Sequence, residues 1–210
     1  MDTRSFPTNR LRHLLSCAVL FLSACGSPLP RQAEVLQRGL ACCSSIEQVP
    51  ISGTVANGAF SATLDDQTPI FDFTQGRSHF VAVTVGSQQT LEIRTWHRGN
   101  TTIDWQIFCP MITFLDKDKH FVESRALNDM SFTRAGLIDN ARFTQTISSP
   151  SLAAYAVVHS PADSIGRSLS DKVDDPGRAV IIGKFGYFIP GNDSISIPCG
   201  QQGKITVTPR

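Results

Sequence analysis

Cysteine and histidine are the residues through which this sequence could do chemistry, and their spacing narrows what that chemistry is. The six cysteines are Cys17, Cys25, Cys42, Cys43, Cys109 and Cys199. No Cys-x-x-Cys occurs and no histidine pair at helical spacing joins them, so neither a redox pair nor a zinc site is spelled out. His79, His97, His120 and His159 form no His-x-His and no His-Glu-x-x-His. There is no Gly-x-Ser-x-Gly elbow, because "SIGRS" around Gly166 lacks both the spacing and the strand-then-helix setting. No glycine-rich loop is present to cradle a phosphate. Without a nucleophile, a base and an orienting group in assignable roles, the reading is a non-catalytic protein that needs no cofactor.

Two acidic stretches and a few aromatics remain. "LDKDKH", residues 115–120, offers Asp116 and Asp118 as oxygen ligands for Ca²⁺. An EF-type loop needs more ligands and a closing Glu, so a charged hairpin tip is the better reading and no metal is expected. "LDDQTP", residues 64–69, reads as a plain turn on the same grounds. Trp96, Trp105, Tyr155 and Tyr187 are the large amphipathic aromatics. Such rings stack on the apolar faces of sugars, and they also fill sandwich cores. Trp96, in "RTWHRGN" on the face that carries Glu92 and Arg94, is the better surface candidate for a ligand, and Tyr187 is a second.

The N-terminus supplies an address. Arg4, Arg10 and Arg12 precede an apolar run from Leu14 to Ala24. A membrane-spanning helix needs about 20 such residues, whereas a signal-peptide core needs about 7–15. Leu22-Ser23-Ala24-Cys25 looks like a bacterial lipobox. Cys25 would then be acylated and the chain cut before it, leaving several acyl chains as a membrane anchor. Gly26, where Asp would retain the protein in the inner membrane, fits an outer-membrane lipoprotein facing the periplasm. Residues 1–24 are thus read as a lipoprotein signal peptide, 25–45 as a lipidated tether with a short helix, and 46–210 as one domain. Cleavage removes three arginines and one aspartate from 19 basic and 18 acidic residues, leaving a formal net charge of −1. That balance gives no electrostatic pull toward nucleic acid.

After processing, Cys42, Cys43, Cys109 and Cys199 remain in an oxidising compartment, where disulfides are the rule. Four cysteines allow three connectivities. A Cys42–Cys43 bridge strains the intervening peptide, so the reading leans to the two arrangements that tie the segment before the domain to both Cys109 and Cys199.

The elements that must position these residues are mostly strands. Ser27, Pro28 and Pro30 are expected to stay extended, followed by a short helix with Val35, Leu36 and Leu40 on one side. From Ile51 the period becomes two. "PIFDFTQGRSHFVAVTV" gives strands over 69–74 and 78–85, joined at Gln75-Gly76. "QTLEIRTWHR" alternates Leu91, Ile93 and Thr95 against Glu92, Arg94 and Trp96. "IDWQIFCPMITFLDKDKHFVESRA" reads as a strand to Leu115, a turn over 116–119 and a returning strand. "ARFTQTI", "AAYAVVHS", "AVIIG", "SISIP" and "KITVTP" add more. Residues 161–179 read as a long polar loop with a short helix near 165–172. Many short strands between Gly, Pro and Asn turns predict an all-β sandwich or jelly-roll-like domain.

In this order, Cys42-Cys43-Ser44-Ser45, the Phe-x-Phe-x-x-Gly-x-Ser-x-Phe pattern from Phe71 to Phe80, Phe108-x-Pro110 with Leu115-Asp116, and the Tyr155 strand followed by Gly166 resemble the maltose operon periplasmic protein family (MalM-like). The resemblance spans most of the mature chain. It implies an exported, β-rich accessory to carbohydrate uptake or binding of maltodextrin type, with no catalytic residues to carry over. In that comparison Cys109 stands where a small residue is usual, and Cys199 offers it a partner. The alternative reading is an envelope structural or protein-interaction lipoprotein with no sugar ligand. The motif phenylalanines read first as core aromatics that clasp two strands around Gly76, where a turn with positive φ is expected.

Overall fold

The computed structural model describes residues 28–210 apart from 57, 99–105, 135–139, 174–177, 183–184, 190 and 192–193. The signal-peptide reading, Cys25 and Trp105 lie outside the described residues. Among the described residues the protein is an all-β sandwich-like domain with one short α-helix near the N-terminal side.

Sheet A runs β1 (Gly53–Thr54), β4 (Gly76–Thr84), β11 (Tyr155–His159), β7 (Met111–Leu115), β8 (Phe121–Ala126), with β3 (Ile70–Phe73) also paired to β4. Sheet B runs β12 (Ser168–Lys172), β15 (Ser194–Gly200), β6 (Gln106–Phe108), β5 (Thr90–Arg98), β10 (Arg142–Ser148), β9 (Ser131–Thr133). In the same sheet β16 (Gly203–Pro209) pairs with both β5 and β2 (Phe60–Leu64). β13 (Arg178–Ile182) and β14 (Phe185–Ile189) form a separate hairpin.

The main core lies between the sheets. Val81, Val83, Ile112, Phe114 and Val158 from sheet A meet Leu91, Ile93, Phe143, Ile205 and Val207 from sheet B. The expected alternation in β5 places Leu91, Ile93 and Thr95 in this layer. β4 and β11 differ, because both their faces are buried: Phe80, Ala82 and Val157 point into a second cluster with Val49, Phe71, Phe73 and Leu115. This explains why "HFVAVTV" reads as a nearly continuous apolar run. Gly76 turns β3 into β4 at φ +106°, as the sequence requires, and a Cβ there would lie 2.9 Å from that of Ala162.

Four expectations are corrected. The helix α1 begins at Pro28, not after an extended Pro28–Pro30, because proline in a first turn gives up only an N–H that has no helical partner. It stops at Arg38, so Leu40 falls beyond it and is exposed and does not share a side with Val35 and Leu36. The single strand expected up to Leu115 is broken at Cys109-Pro110: β6 belongs to sheet B and β7 to sheet A. Pro110 has no N–H for a ladder, which suits it to the crossing. Residues 168–172 are a strand, not a helix, since they pair in register with Ser194–Pro198 and bury Leu169.

The cysteine pairing is also corrected. The bridges are Cys42–Cys43 and Cys109–Cys199, with Cα separations of 3.8 and 5.4 Å. The fold decides this by placing Cys199 at the parallel β15–β6 pairing, opposite Ile107 and next to the crossing residue. Cys42 and Cys43 lie on the far side of sheet A and, among the described cysteines, pair with each other.

The helix is part of the domain. Gln32, buried, donates to Gln106 Oε1 at 2.8 Å and accepts the Gln201 N–H at 2.9 Å. Gln201 in turn joins Ser78 and the carbonyls of Ser160 and Pro161 in one hydrogen-bonded network. At the other end of α1, Arg77 Nη1 donates to the carbonyls of Gln37 (3.1 Å) and Gly39 (2.9 Å). A cation belongs at this negative end of a helix. Asp72 holds the remaining edge of the guanidinium at 2.6 and 2.9 Å.

Candidate functional site

The outer face of sheet A carries an aromatic pocket. Residues 41–51 cross this face as a strap. The Cys42 N–H donates to Ile70 O (2.8 Å) and the Ser52 N–H to Ala82 O (2.6 Å), with a 3-10 turn, Ile46–Gln48, between them. Val49, within the strap, is fully buried against sheet A, and Lys119 Nζ donates to its carbonyl at 2.8 Å. Beside Val49, Phe71, Phe73 and Phe80 pack edge to face with ring centroids 4.9–6.4 Å apart. Beside these rings a cavity of about 280 Å³ opens. Ile46, Phe71, Phe73 and Phe121 supply its apolar walls, and Asp72, Thr74, Gln75, Thr113 and Ser124 its polar atoms. Phe121 is 63% exposed, which is unusual for so large an apolar side chain.

A hydrogen-bonded chain runs from the core to this pocket. His159 Nε2 lies 3.1 Å from Thr113 Oγ1, which lies 2.7 Å from Ser124 Oγ. The imidazole is fully buried and stacked on Phe73 at 3.7 Å. Burial pushes its pKa down to about 3, so it is neutral at physiological pH. Among the described residues its Nδ1 has no partner, and an orphaned buried N–H is the rarer and costlier arrangement. The proton therefore belongs on Nε2, which donates to Thr113; Thr113 donates to Ser124; and the Ser124 hydroxyl is left to donate into the pocket. Among the described lining residues the charged group is Asp72, whose ion pair with Arg77 holds its pKa below the usual range. The pocket thus offers aromatic walls, hydroxyls and no free charge.

The other candidates are placed as follows. Trp96 stands on the outer face of sheet B, as expected, half-buried beside Arg94 and Glu92. Cross-strand from it are Arg142 and Lys204, and Lys204 Nζ lies 5.1 Å from the ring centroid, covering one face. The surrounding face is rich in hydroxyls, including Ser61, Thr63, Thr144 and Thr206. Glu92 lies within it, 5% exposed. Burial would raise its pKa, but hydrogen bonds from Arg210 and Arg94 outweigh that and hold it below the ordinary range. Tyr187 is in β14, and its side chain lies outside the described residues.

Asp116, Asp118 and His120 gather at the β7–β8 turn. Asp116 Oδ1 accepts the N–H groups of His120 (2.9 Å) and Asp118 (2.8 Å), which lowers its pKa. Lys117 pairs with Asp118 at 2.6 Å. These contacts are those of a hairpin tip, the reading preferred from sequence. A second cavity, of about 180 Å³, lies over Cys109 and Cys199, with Met111, Leu127 and the ion-paired Asp163 and Arg167 in its lining. Among the described residues no helix is long and apolar enough to cross a membrane.

The fold defines a disulfide-bonded, all-β sandwich-like domain. Compared with models of known protein families, with curated proteins and with solved structures, the chain matches none. The resemblance to the maltose operon family therefore rests on its motifs alone. From sequence, Phe71 and Phe73 read as core residues, His159 as a histidine without a role, and Thr113, Ser124 and Phe121 as ordinary strand residues. The one local signal was Phe121, an apolar residue directly after a charged turn. The rest converge from strands up to 46 residues apart in the chain.

Proposed function

We propose that the chain is an exported, lipid-anchored, non-catalytic accessory to carbohydrate uptake or binding at the cell envelope, and that the pocket on sheet A takes one ring of a neutral, maltodextrin-type oligosaccharide. The observation that carries this is the lining: phenylalanine walls for the apolar face of a sugar ring, hydroxyls and amides for its edge, and no unpaired charge. The volume is just below the small end of the range of about 300–1,000 Å³ usual for ligand sites, which suits a single ring at a chain end. Two disulfides accord with an oxidising compartment.

Calorimetric titration of the mature domain with glucose, maltose and longer maltodextrins tests the sugar reading. Saturable binding is expected, weakened about tenfold by Phe121→Ser, an exposed position where the change does not threaten the core. Loss on Trp96→Ala with Phe121→Ser unaffected would move the site to sheet B. No heat from a folded sample would overturn the sugar reading and favour the alternative, an envelope protein partner. The anchor is tested separately: Cys25→Ser should abolish labelling by radioactive palmitate, and persistent label would refute lipidation at that residue.

A further inference from the structure

The two disulfides differ in what they can do. Cys109–Cys199 has a sequence separation of 90, and its cysteines are 7% and 3% exposed. Cys42–Cys43 joins neighbours, so it closes no loop and contributes almost nothing by restricting the unfolded chain. Cys42 is exposed, open to an incoming thiolate, while Cys43 packs against the aromatic cluster under the strap. We propose that Cys42–Cys43 is a site of reversible reduction by a dithiol protein, and that its state sets how firmly the strap holds Ile46 as a wall of the pocket. The consequence for ligand rests on the pocket reading above; the chemistry does not.

The reaction balances without any group from this chain beyond the two cysteines. A thiolate of the reductant attacks Cys42 Sγ and the S–S bond breaks. Cys43 leaves as a thiolate and takes a proton from water. The second thiol of the reductant then attacks the mixed disulfide, releasing Cys42 as a thiol. Two electrons have passed to the cysteine pair, and the reductant is left as a disulfide.

The strap is built to register that change. Between its anchors at Cys42 and Ser52 it packs Cys43, Ile46 and Val49 onto the aromatic cluster, but its hydrogen bonds are mainly internal: Ser44 N and Oγ both donate to Gln48 Oε1 at 3.0 Å, and the Gln48 and Val49 N–H groups donate to Ser45 O and Ile46 O at 3.2 Å. Lys119 is the side chain that reaches it from the turn. Cys43 Sγ lies 3.6 Å from Gln48 O. A disulfide sulfur has no proton to donate there, but a thiol has. Reduction thus frees the Cys42–Cys43 peptide from its small ring, and the weak S–H donor gained at Gln48 O holds the turn that carries Ile46 less firmly than the ring did.

The test uses the mature protein, exposed to dilute dithiothreitol under native conditions, then alkylated and peptide-mapped. Label is expected on Cys42 and Cys43 while Cys109–Cys199 stays intact. Hydrogen exchange at the Cys42, Gln48 and Val49 amides should then quicken about tenfold or more, with the Ser52 amide unchanged. The Cys42→Ser/Cys43→Ser variant should show the same exchange without reductant. Maltodextrin affinity should fall about threefold or more in the reduced form, because a loosened wall must be ordered on binding. No label at Cys42 and Cys43, label at Cys109 and Cys199 equally early, or unchanged exchange would each overturn the assignment. Equal affinity in both forms would overturn the link to the pocket. Quickened exchange with no sugar bound by either form would support the redox site and remove the sugar reading alone.

Discussion

Replacing Cys109 and Cys199 together by alanine is expected to cost about 4–5 kcal/mol of folding stability, the chain-entropy value for a loop of this length. That is a large share of the roughly 5–15 kcal/mol that holds a typical domain folded. The location enlarges the effect. Cys109 sits where the chain passes from β6 in sheet B to β7 in sheet A, and Cys199 is in β15, which meets β6 through a short parallel pairing, Cys199↔Ile107 and Gly200↔Phe108. Without the bridge, that short pairing must hold alone. Urea unfolding should show a much lower midpoint for this double variant, whereas Cys42→Ser/Cys43→Ser should move the midpoint little. Equal losses from the two variants would refute the division of labour between the bridges.

The second large effect is a loss of stability in acid that traces to His159. Its folded pKa is about 3, against about 6.5 when unfolded. The unfolded chain therefore binds the proton first as pH falls. Stability from this group is complete above about pH 6.5 and declines below it by up to about 1.4 kcal/mol per pH unit, levelling off as pH approaches the folded pKa. Between pH 6.5 and 4.5 the loss should reach about 2–3 kcal/mol. The described carboxylates with lowered pKa, Glu47, Asp72, Glu92, Asp116 and Glu123, also lose stability in acid. Theirs is lost chiefly below about pH 4.5, where unfolded carboxyls protonate, so the two windows separate. His159→Gln should be less stable at pH 7, having lost the stack on Phe73, yet nearly flat from pH 6.5 to 4.5. A variant that follows the wild-type slope would show that the proton goes elsewhere.

Sequence alone determined the all-β class, most strand positions and the turn at Gly76. These depend on local rules: alternation of apolar side chains with a period of two, and a residue that tolerates positive φ. β5 illustrates the reach of such rules, since Leu91, Ile93 and Thr95 face the core and Trp96 does not. The same rules led astray where a neighbour in space, not in sequence, decides. Residues 168–172 became a strand because β15 was there to pair with them. The strand read through Cys109-Pro110 split because its two halves serve different sheets. The cysteine pairs followed from which strands run side by side, which no spacing reveals. The pocket is the clearest case. Its walls and its His159–Thr113–Ser124 chain come from the strap, β3, β7, β8 and β11, each unremarkable when read alone. A binding site of this kind is a property of convergence, and only the tertiary structure could bring together hydroxyls and aromatic rings that local sequence assigns to a core or a surface.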